Sequence, residues 1–234
     1  MINSALILSG GKGKRLKKRV NNVPKILAKI ADKPFIDYQI DWLEKQRIKK
    51  IYLLTKYKSS IIENYIHSNK SKYNSEIIII KEKEFLGTGG AIKNLLLKTK
   101  LNEHCLVVNG DTYFNIKKIN YFYKFHFSNN NKITLGSSIK IDSSRYGTIK
   151  FNGNYLKQMN EPSGIKQKGY VFAGLLILNL QIINSFSKKK FQLEDFISFY
   201  KNNNKVGVYK FKNNNFFYDY GTVKSYDWVA NSGF

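Results

Sequence analysis

The sequence has few cysteines and no long apolar runs, which excludes disulfide bonds within the chain and membrane-spanning helices. The chain has one cysteine, Cys105, so no disulfide within it can hold the fold, and its apolar surroundings at 105–108 indicate a buried structural thiol. No apolar run approaches the roughly 18 residues of a membrane span, and the N-terminus lacks a signal-peptide pattern. We therefore expect a cytoplasmic protein that does not insert into a membrane.

Acidic residues are scarce too, with 16 Asp and Glu against 40 Lys and Arg, which gives a formal charge of +24. Only four of the basic residues are arginine, whereas sequence-specific nucleic-acid readers rely on arginine forks and on modules such as zinc fingers, of which none is visible. We interpret the lysine excess as compositional drift; a basic surface could still attract nucleic acid non-specifically and would concentrate anionic substrates. No specific nucleic-acid partner is predicted.

The sequence also lacks a plausible Ser-His-Asp or Cys-His set, because its three histidines have no motif around them. Its most informative stretch is 5–16, in which a short apolar run ends in three glycines within four residues, followed by bases. This pattern is typical of a buried parallel strand that opens into a phosphate loop, since glycine lets backbone N–H groups approach phosphate oxygens. Read alone, it is also compatible with an ordinary strand-to-helix turn.

Two better-known glycine loops do not fit this stretch. A Walker A loop is excluded because Leu8 occupies the first glycine position and Arg15 stands where a hydroxyl residue is needed. A dinucleotide fingerprint is weak because Leu16 takes the place of its third glycine.

The pattern beyond the loop predicts an α/β sheet. Helices are expected at 34–47 and 61–66, a buried strand at 51–54, and an interior strand at 77–80, where the residues are all β-branched. Alternation of strand and helix indicates a doubly wound sheet, which binds ligands beyond the carboxyl ends of its strands. At 234 residues the chain is expected to form a single domain.

With the glycine loop, Pro-Lys and Lys-Pro pairs make the chain resemble the sugar-1-phosphate nucleotidyltransferases. Their signature is Gly-Gly-x-Gly-Thr-Arg-Leu, then Pro-Lys-Pro, then Lys-Pro ahead of a helix. The matching residues are Gly10, Gly11, Gly13, Arg15, Leu16, Pro24, Lys25, Lys33 and Pro34. Lys14 replaces the usual threonine, and Ile26 replaces the second proline.

Later segments extend the resemblance over almost the whole chain. Residues 84–91 match the loop that reads the nucleotide base in the family, with Glu84 conforming and Phe85 replacing a common proline. Read alone, this segment is a turn in which Thr88 caps a helix at 92–98. Asp111 is the last residue of a strand predicted at 106–111 and, read alone, could close an Asx turn. The resemblance instead makes it a Mg²⁺ ligand together with Asp219.

The resemblance implies a role for each matching residue. Nucleotide binding falls to Ser9, Gly10, Gly11, Gly13, Arg15, Gly87, Thr88, Gly89, Asn109, Gly110 and Asp111. Sugar binding falls to Tyr146, Gly147, Glu161 and Gly174. Arg15, Lys25 and Asp111 are implied to be catalytic. The lysine that holds the sugar phosphate in the family appears here as Pro162, which leaves Lys166 or Lys168 either as a substitute or as a simply exposed side chain.

The implied fold is a doubly wound, mostly parallel, Rossmann-like mixed sheet with a small sugar-binding β lobe. One domain spans 1–234, with a nucleotide-binding half at about 1–115 and a sugar-binding half at about 116–234. The implied reaction joins a nucleoside triphosphate and a sugar 1-phosphate into a nucleotide sugar and pyrophosphate. A homodimer is left open, since no sequence feature specifies an oligomeric state.

Within the family, the chain most resembles the D-glycero-α-D-manno-heptose 1-phosphate guanylyltransferases, which use GTP and serve surface polysaccharide synthesis. Mannose 1-phosphate guanylyltransferase and N-acetylmuramate 1-phosphate uridylyltransferase activities are the alternatives. A non-catalytic nucleotide-binding or nucleic-acid-binding protein is the alternative of a different class.

Overall fold

A computed structural model describes residues 2–13, 23–212 and 217–231. The strands in these ranges are β1 Ser4–Leu8, β2 Lys29–Ile30, β3 Lys33–Pro34, β4 Lys50–Thr55, β5 Glu76–Lys81, β6 His104–Asn109, β7 Thr112–Phe114, β8 Ile133–Lys140, β9 Ile149–Asn152, β10 Tyr155–Met159, β11 Gly169–Asn179, β12 Gly207–Lys210 and β13 Phe217–Asp219. The α-helices are α1 Phe35–Lys45, α2 Ser59–Ser68, α3 Gly87–Lys98, α4 Asn120–Ser128, α5 Leu193–Tyr200 and α6 Val223–Asn231.

Nine of these strands form one mixed sheet in the order β5-β4-β1-β6-β11-β8-β12-β10-β9. The first four strands run parallel, and helices α1, α2 and α3 connect them. Beyond them, β11 lies antiparallel between β6 and β8, and it therefore joins the two halves of the chain within a single sheet. The predicted doubly wound α/β fold is confirmed.

Burial explains the apolar runs of the central strands. Both faces of β1 and β6 are covered, so Leu6 and Val107 contribute to one hydrophobic core while Ile7 and Val108 contribute to the other. Helix α1 buries one apolar face, with Ile36, Ile40 and Leu43 fully inaccessible to solvent, as its 3.6-residue spacing predicts.

The predicted interior position of residues 77–80 is wrong, because β5 is an edge strand of the sheet. Its β-branched residues are still explained by packing, since Ile77 and Ile79 lie against one core and Ile78 lies against the other. The apolar residues of a strand indicate that both of its faces are covered. They do not indicate whether the strand has one hydrogen-bonded neighbour or two.

Helix α3 begins five residues before its predicted start, at Gly87. Thr88 lies inside its first turn and does not cap it; the residue at the N-cap position is Leu86, which has no side-chain cap bond. Instead, the Thr88 hydroxyl accepts a hydrogen bond from the backbone N–H of Leu193, the first residue of α5 (2.8 Å). The helix entrance is therefore tied to a segment 105 residues away in the chain.

Two short strands outside the main sheet, β7 and β13, form an antiparallel ribbon in which Asp219 lies opposite Thr112. This ribbon brings the end of the chain beside the residues that follow β6. Among the described residues, no helix combines the length and apolarity needed to cross a membrane.

Candidate active site

A cavity of about 560 Å³ lies at the carboxyl ends of the parallel strands. Leu8, Leu54 and Asn109, at or near the ends of β1, β4 and β6, form part of its wall. The predicted site residues that line it are Ser9, Gly10, Gly11, Gly13, Lys25, Gly87, Thr88, Asn109, Gly110 and Asp111. The two separate glycine segments of the sequence thus meet at one place, as the doubly wound topology requires.

Close packing explains several of these glycines. A Cβ on Gly110 would lie 2.6 Å from the carbonyl oxygen of Leu8, and a Cβ on Gly10 would lie 2.9 Å from Glu82 Oε1. Gly13 has a φ of +58° beside Lys25, a backbone conformation that favours glycine. The predicted roles of Arg15 and of its neighbours Lys14 and Leu16 lie outside the described residues.

Gly89 differs from the other predicted nucleotide-binding residues because it does not line the cavity. Its backbone N–H donates to the carbonyl oxygen of Phe191 (3.2 Å), and an added Cβ would lie 2.2 Å from the Phe191 ring. Glycine at this position is therefore explained by close packing of α3 against the segment that leads into α5.

A second cavity, of about 430 Å³, adjoins the first. The predicted sugar-binding residues Tyr146, Gly147, Glu161 and Gly174 all line it. Gly174 has a φ of +69°, and an added Cβ would lie 2.7 Å from Asn109 Nδ2, so both conformation and space select glycine. Asn109 and Asp111 line both cavities and therefore stand at their junction.

Carboxylates and bases alternate at this junction. Lys25 Nζ donates to Asp111 Oδ2 (2.5 Å), and Arg145 Nη2 donates to Asp219 Oδ2 (3.1 Å). Burial raises the pKa of Asp219, and the nearby charge of Asp111 acts in the same direction. The donor set of two carboxylates suits Mg²⁺, which prefers hard oxygen ligands and keeps positions for water and phosphate.

Two residues that sequence reasoning missed hold Asp111 in place. The buried amide of Gln39 donates to the carbonyl oxygens of Asn109 (2.8 Å) and Thr112 (3.0 Å), which flank the turn. The fully buried Tyr220 donates from its backbone N–H to the Asp111 carbonyl (3.2 Å). No sequence signal marks either contact, because each joins positions that are far apart in the chain.

Glu82 is a further missed residue, and it lies in the wall of the first cavity with 8% of its surface exposed. Its Oε2 accepts from the backbone N–H of Leu86 (3.2 Å), while Oε1 makes no hydrogen bond to the described residues. Burial raises the pKa of this carboxyl group, against the opposing effects of that hydrogen bond and of nearby lysines. The motif residue Glu84 instead forms an exposed ion pair with Lys189 (3.1 Å).

The first turn of α5 was also not predicted as part of the site. Gln192 and Glu194 line both cavities. Burial raises the pKa of Glu194, and the charges of Glu161 and Asp195 act in the same direction. The apolar side of α5 fills the core, which conceals the contribution of its polar side to the site.

Comparison with known proteins agrees with this arrangement. The family model described as nucleotidyl transferase matches residues 4–232. The D-glycero-α-D-manno-heptose 1-phosphate guanylyltransferase of Campylobacter jejuni is 36% identical over 227 residues, covering 95% of this chain and 96% of the relative. The enzyme of that name from Aneurinibacillus thermoaerophilus is 34% identical over 224 residues, covering 95% and 94%.

A solved structure is similar over the same length. The crystal structure of HddC from Yersinia pseudotuberculosis complexed with GMP-PN superposes with a TM-score of 0.83 at 28% identity, covering 99% of each chain. Family model, relatives and fold agree over nearly all of the sequence, and the chain therefore belongs to the nucleotidyl transferase family, as its resemblance to the sugar-1-phosphate nucleotidyltransferases predicts.

Proposed function

We propose that the protein transfers GMP from GTP to D-glycero-α-D-manno-heptose 1-phosphate, releasing pyrophosphate. The observation that carries this proposal is the position of Asp111, which lines both cavities and accepts a hydrogen bond from Lys25. A triphosphate in the first cavity and a sugar phosphate in the second would bring their reacting groups together at this point.

In the proposed reaction, an oxygen of the sugar phosphate attacks the α-phosphorus of GTP. The new P–O bond forms as the bond between the α-phosphorus and the leaving pyrophosphate oxygen breaks. Such a transfer depends mainly on alignment and on charge neutralisation. The glycine loop would align the triphosphate through backbone N–H groups, Lys25 would stabilise charge at the α-phosphate, and Arg15 is expected to do so at pyrophosphate.

Asp111 and Asp219 would hold Mg²⁺. When bound, the ion neutralises negative charge on the reacting phosphates. In the described structure Lys25 binds Asp111 Oδ2 and Arg145 binds Asp219 Oδ2, so each base neutralises one of the two carboxylates. Both bases would exchange that partner for phosphate oxygens when substrate and ion are present.

Glu82 favours guanine as the base. Guanine presents N1–H and N2–H donors on one edge, which a carboxylate accepts side by side, whereas adenine lacks an adjacent donor pair of this kind. Glu82 lines the first cavity, and its Oε1 lies close to Gly10 without a hydrogen bond to the described residues. For the sugar, support comes from the names and full-length similarity of the two heptose 1-phosphate guanylyltransferases.

The test is pyrophosphate release in the presence of Mg²⁺. Four nucleoside triphosphates are each combined with heptose, mannose, glucose and N-acetylmuramate 1-phosphates, and the products are identified by mass spectrometry. We expect GTP with the heptose phosphate to give the highest kcat/KM. Preference for mannose or N-acetylmuramate 1-phosphate would retain the reaction and replace the substrate. Nucleotide binding without turnover of any pair would contradict the proposal.

A further inference from the structure

We propose that Arg145 binds the phosphate of the sugar 1-phosphate, the role that a lysine performs elsewhere in the family and that Pro162 cannot perform here. This inference rests on the proposed use of a sugar 1-phosphate. It extends that proposal by assigning the phosphate subsite to a residue from a different segment of the chain.

The charge of the second cavity favours phosphate binding by a basic residue of its own lining. Of the described residues that line it, Arg145 is the one lysine or arginine. The carboxylates that line it are Asp111, Glu161, Glu194, Asp195 and Asp219. A sugar phosphate brings a further charge of about −1.5 to −2 near neutral pH, so binding without a local cation would be opposed by repulsion.

The guanidinium group of Arg145 is placed where a phosphate would meet Asp219. Its Nη2 lies 3.1 Å from Asp219 Oδ2 and 3.4 Å from Ser225 Oγ. Nη1 and Nε donate to no described residue, and 43% of the side chain remains exposed. Arg145 can therefore offer a fork of N–H groups, a geometry that matches phosphate oxygens.

The turn that carries Arg145 is fixed from both sides. The nearly inaccessible Ser143 donates from its backbone N–H (3.0 Å) and its hydroxyl (2.8 Å) to the carbonyl oxygen of Gln167. The backbone N–H of Tyr146 donates to the Ser143 carbonyl oxygen (2.9 Å). The Tyr146 ring packs edge-on against the Phe217 ring, with the ring centroids 5.8 Å apart. Substrate binding should therefore cost little conformational entropy in this turn.

Other lysines near this cavity are less suitable. Lys166 and Lys168 are exposed and line neither cavity. The ammonium group of Lys140 lies 4.2 Å from the Phe217 ring centroid and donates to the Phe217 carbonyl oxygen (3.3 Å). Lys140 does not line the second cavity. Lys25 lines the first cavity and would serve the α-phosphate.

A competing explanation is that Arg145 only orients Asp219. The two explanations predict different kinetics. If Arg145 binds the sugar phosphate, Arg145→Gln raises the KM for that substrate and leaves the KM for GTP unchanged. If Arg145 acts only through Asp219, the substitution lowers kcat and changes the Mg²⁺ concentration for half-maximal rate, with no selective effect on the sugar phosphate.

The experiment compares wild type with three single variants, Arg145→Gln, Arg145→Lys and Lys166→Gln. It also includes a double variant that combines Arg145→Gln and Pro162→Lys. Loss of charge-assisted bonds predicts an increase of about tenfold or more in the KM for heptose 1-phosphate in Arg145→Gln, with less than about a twofold change in the KM for GTP. We expect Arg145→Lys and the double variant to recover part of that loss. Lys166→Gln, which removes one charge nearby, should resemble wild type.

An equal effect on both substrates, or no effect on the sugar-phosphate KM, would overturn the assignment. Calorimetry with heptose 1-phosphate keeps the test independent of turnover, since binding weakened in Arg145→Gln supports the assignment even if wild type proves inactive. If wild type binds none of the sugar phosphates, the proposed function itself fails. Thermal unfolding verifies that each variant is folded.

Discussion

A carboxyl group loses hydration when it is buried, and Glu82 carries that cost in the wall of the first cavity. Its Oε2 stabilises the turn at Leu86, which accounts for one oxygen only. The other oxygen, beside Gly10, has no such structural explanation. An N–H donor of a ligand would satisfy it.

We expect Glu82→Gln to reduce discrimination between GTP and ATP. The amide offers one acceptor where the carboxylate offers two, so kcat/KM for GTP should fall by about tenfold or more while that for ATP changes little. Steady-state rates with each nucleotide measure this ratio. Glu84→Gln, which alters an exposed ion pair, is the matched control and should preserve it. Unchanged discrimination in Glu82→Gln would show that the residue is only structural.

Residue identity was predictable where a motif carries it. Asp111 and Asp219 were both predicted to be site residues, and the structure places Asp111 in the lining of both cavities and Asp219 in the lining of the second. Glu82 was missed because a glutamate at a strand end usually faces solvent, and Tyr220 because an aromatic residue beside a strand usually fills the core. Their roles depend on which distant segments the fold brings alongside.

At the scale of elements, α5 supports the entrance to α3. The Thr88 hydroxyl donates to Gln192 Oε1 (3.1 Å) and accepts from the Leu193 N–H, one of the orphan donors at the start of α5. The backbone N–H of Gly89 adds a bond to Phe191. Residues 87–89, which the family resemblance assigns to nucleotide binding, are thus held by a helix that follows them by about a hundred residues.

Thr88→Val removes the hydroxyl while preserving the shape of the side chain. Loss of both hydrogen bonds should lower the free energy of unfolding by about 1 kcal/mol and raise the KM for the nucleotide several-fold. Thr88→Ser keeps the hydroxyl and should stay close to wild type in both measurements. An unchanged nucleotide KM in Thr88→Val would show that this support is not needed for binding.

Element types followed well from the sequence, whereas some positions and boundaries did not. Periodicity located α1, α2, β4 and β6, because each buries a continuous apolar face. The edge position of β5 and the early start of α3 were missed. Both depend on tertiary pairing, which local pattern does not specify.

At the scale of the whole molecule, a pair of histidines, the fully buried His126 and the partly exposed His104, joins four elements. His126 of α4 lies 2.7 Å from both His104 Nδ1 of β6 and Thr134 Oγ1 of β8, and His104 Nε2 is 3.1 Å from Asn179 Nδ2 of β11. Burial lowers the pKa of His126 to about 3, with smaller contributions from the charges of His104 and Lys132. Sequence reasoning left the histidines without a role.

The pKa of His126 makes folding stability depend on pH. An unfolded histidine titrates near 6.5, so below that pH the unfolded chain binds a proton that folded His126 does not accept until about pH 3. The contribution to stability is complete above pH 6.5 and declines as the pH falls, by at most about 2 kcal/mol at pH 5. Denaturant unfolding at pH 7.5 and pH 5 measures it.

The comparison must be made between variants, because the raised pKa values of Glu82 and Glu194 act in the opposite direction on acidification. His126→Gln should be less stable at pH 7.5 but lose less stability than wild type between pH 7.5 and 5. The exposed His67 provides the control, and His67→Gln should retain the wild-type dependence. Equal pH dependence in wild type and His126→Gln would refute the assignment.

Net charge is a poor guide to this molecule. The chain carries +24, yet the second cavity is lined by five carboxylates and one arginine. A locally acidic cavity therefore lies within a strongly basic chain, a contrast that composition alone cannot reveal.

The central claim is that the junction of the two cavities is where a nucleotide is transferred to a sugar phosphate. The most direct measurement is pyrophosphate release from GTP and D-glycero-α-D-manno-heptose 1-phosphate with Mg²⁺, for wild type and Asp111→Asn. The account predicts turnover by wild type and a loss of at least about a hundredfold in kcat for Asp111→Asn, with folding intact. Turnover that survives Asp111→Asn, or its absence in folded wild type with every sugar phosphate offered, would contradict it.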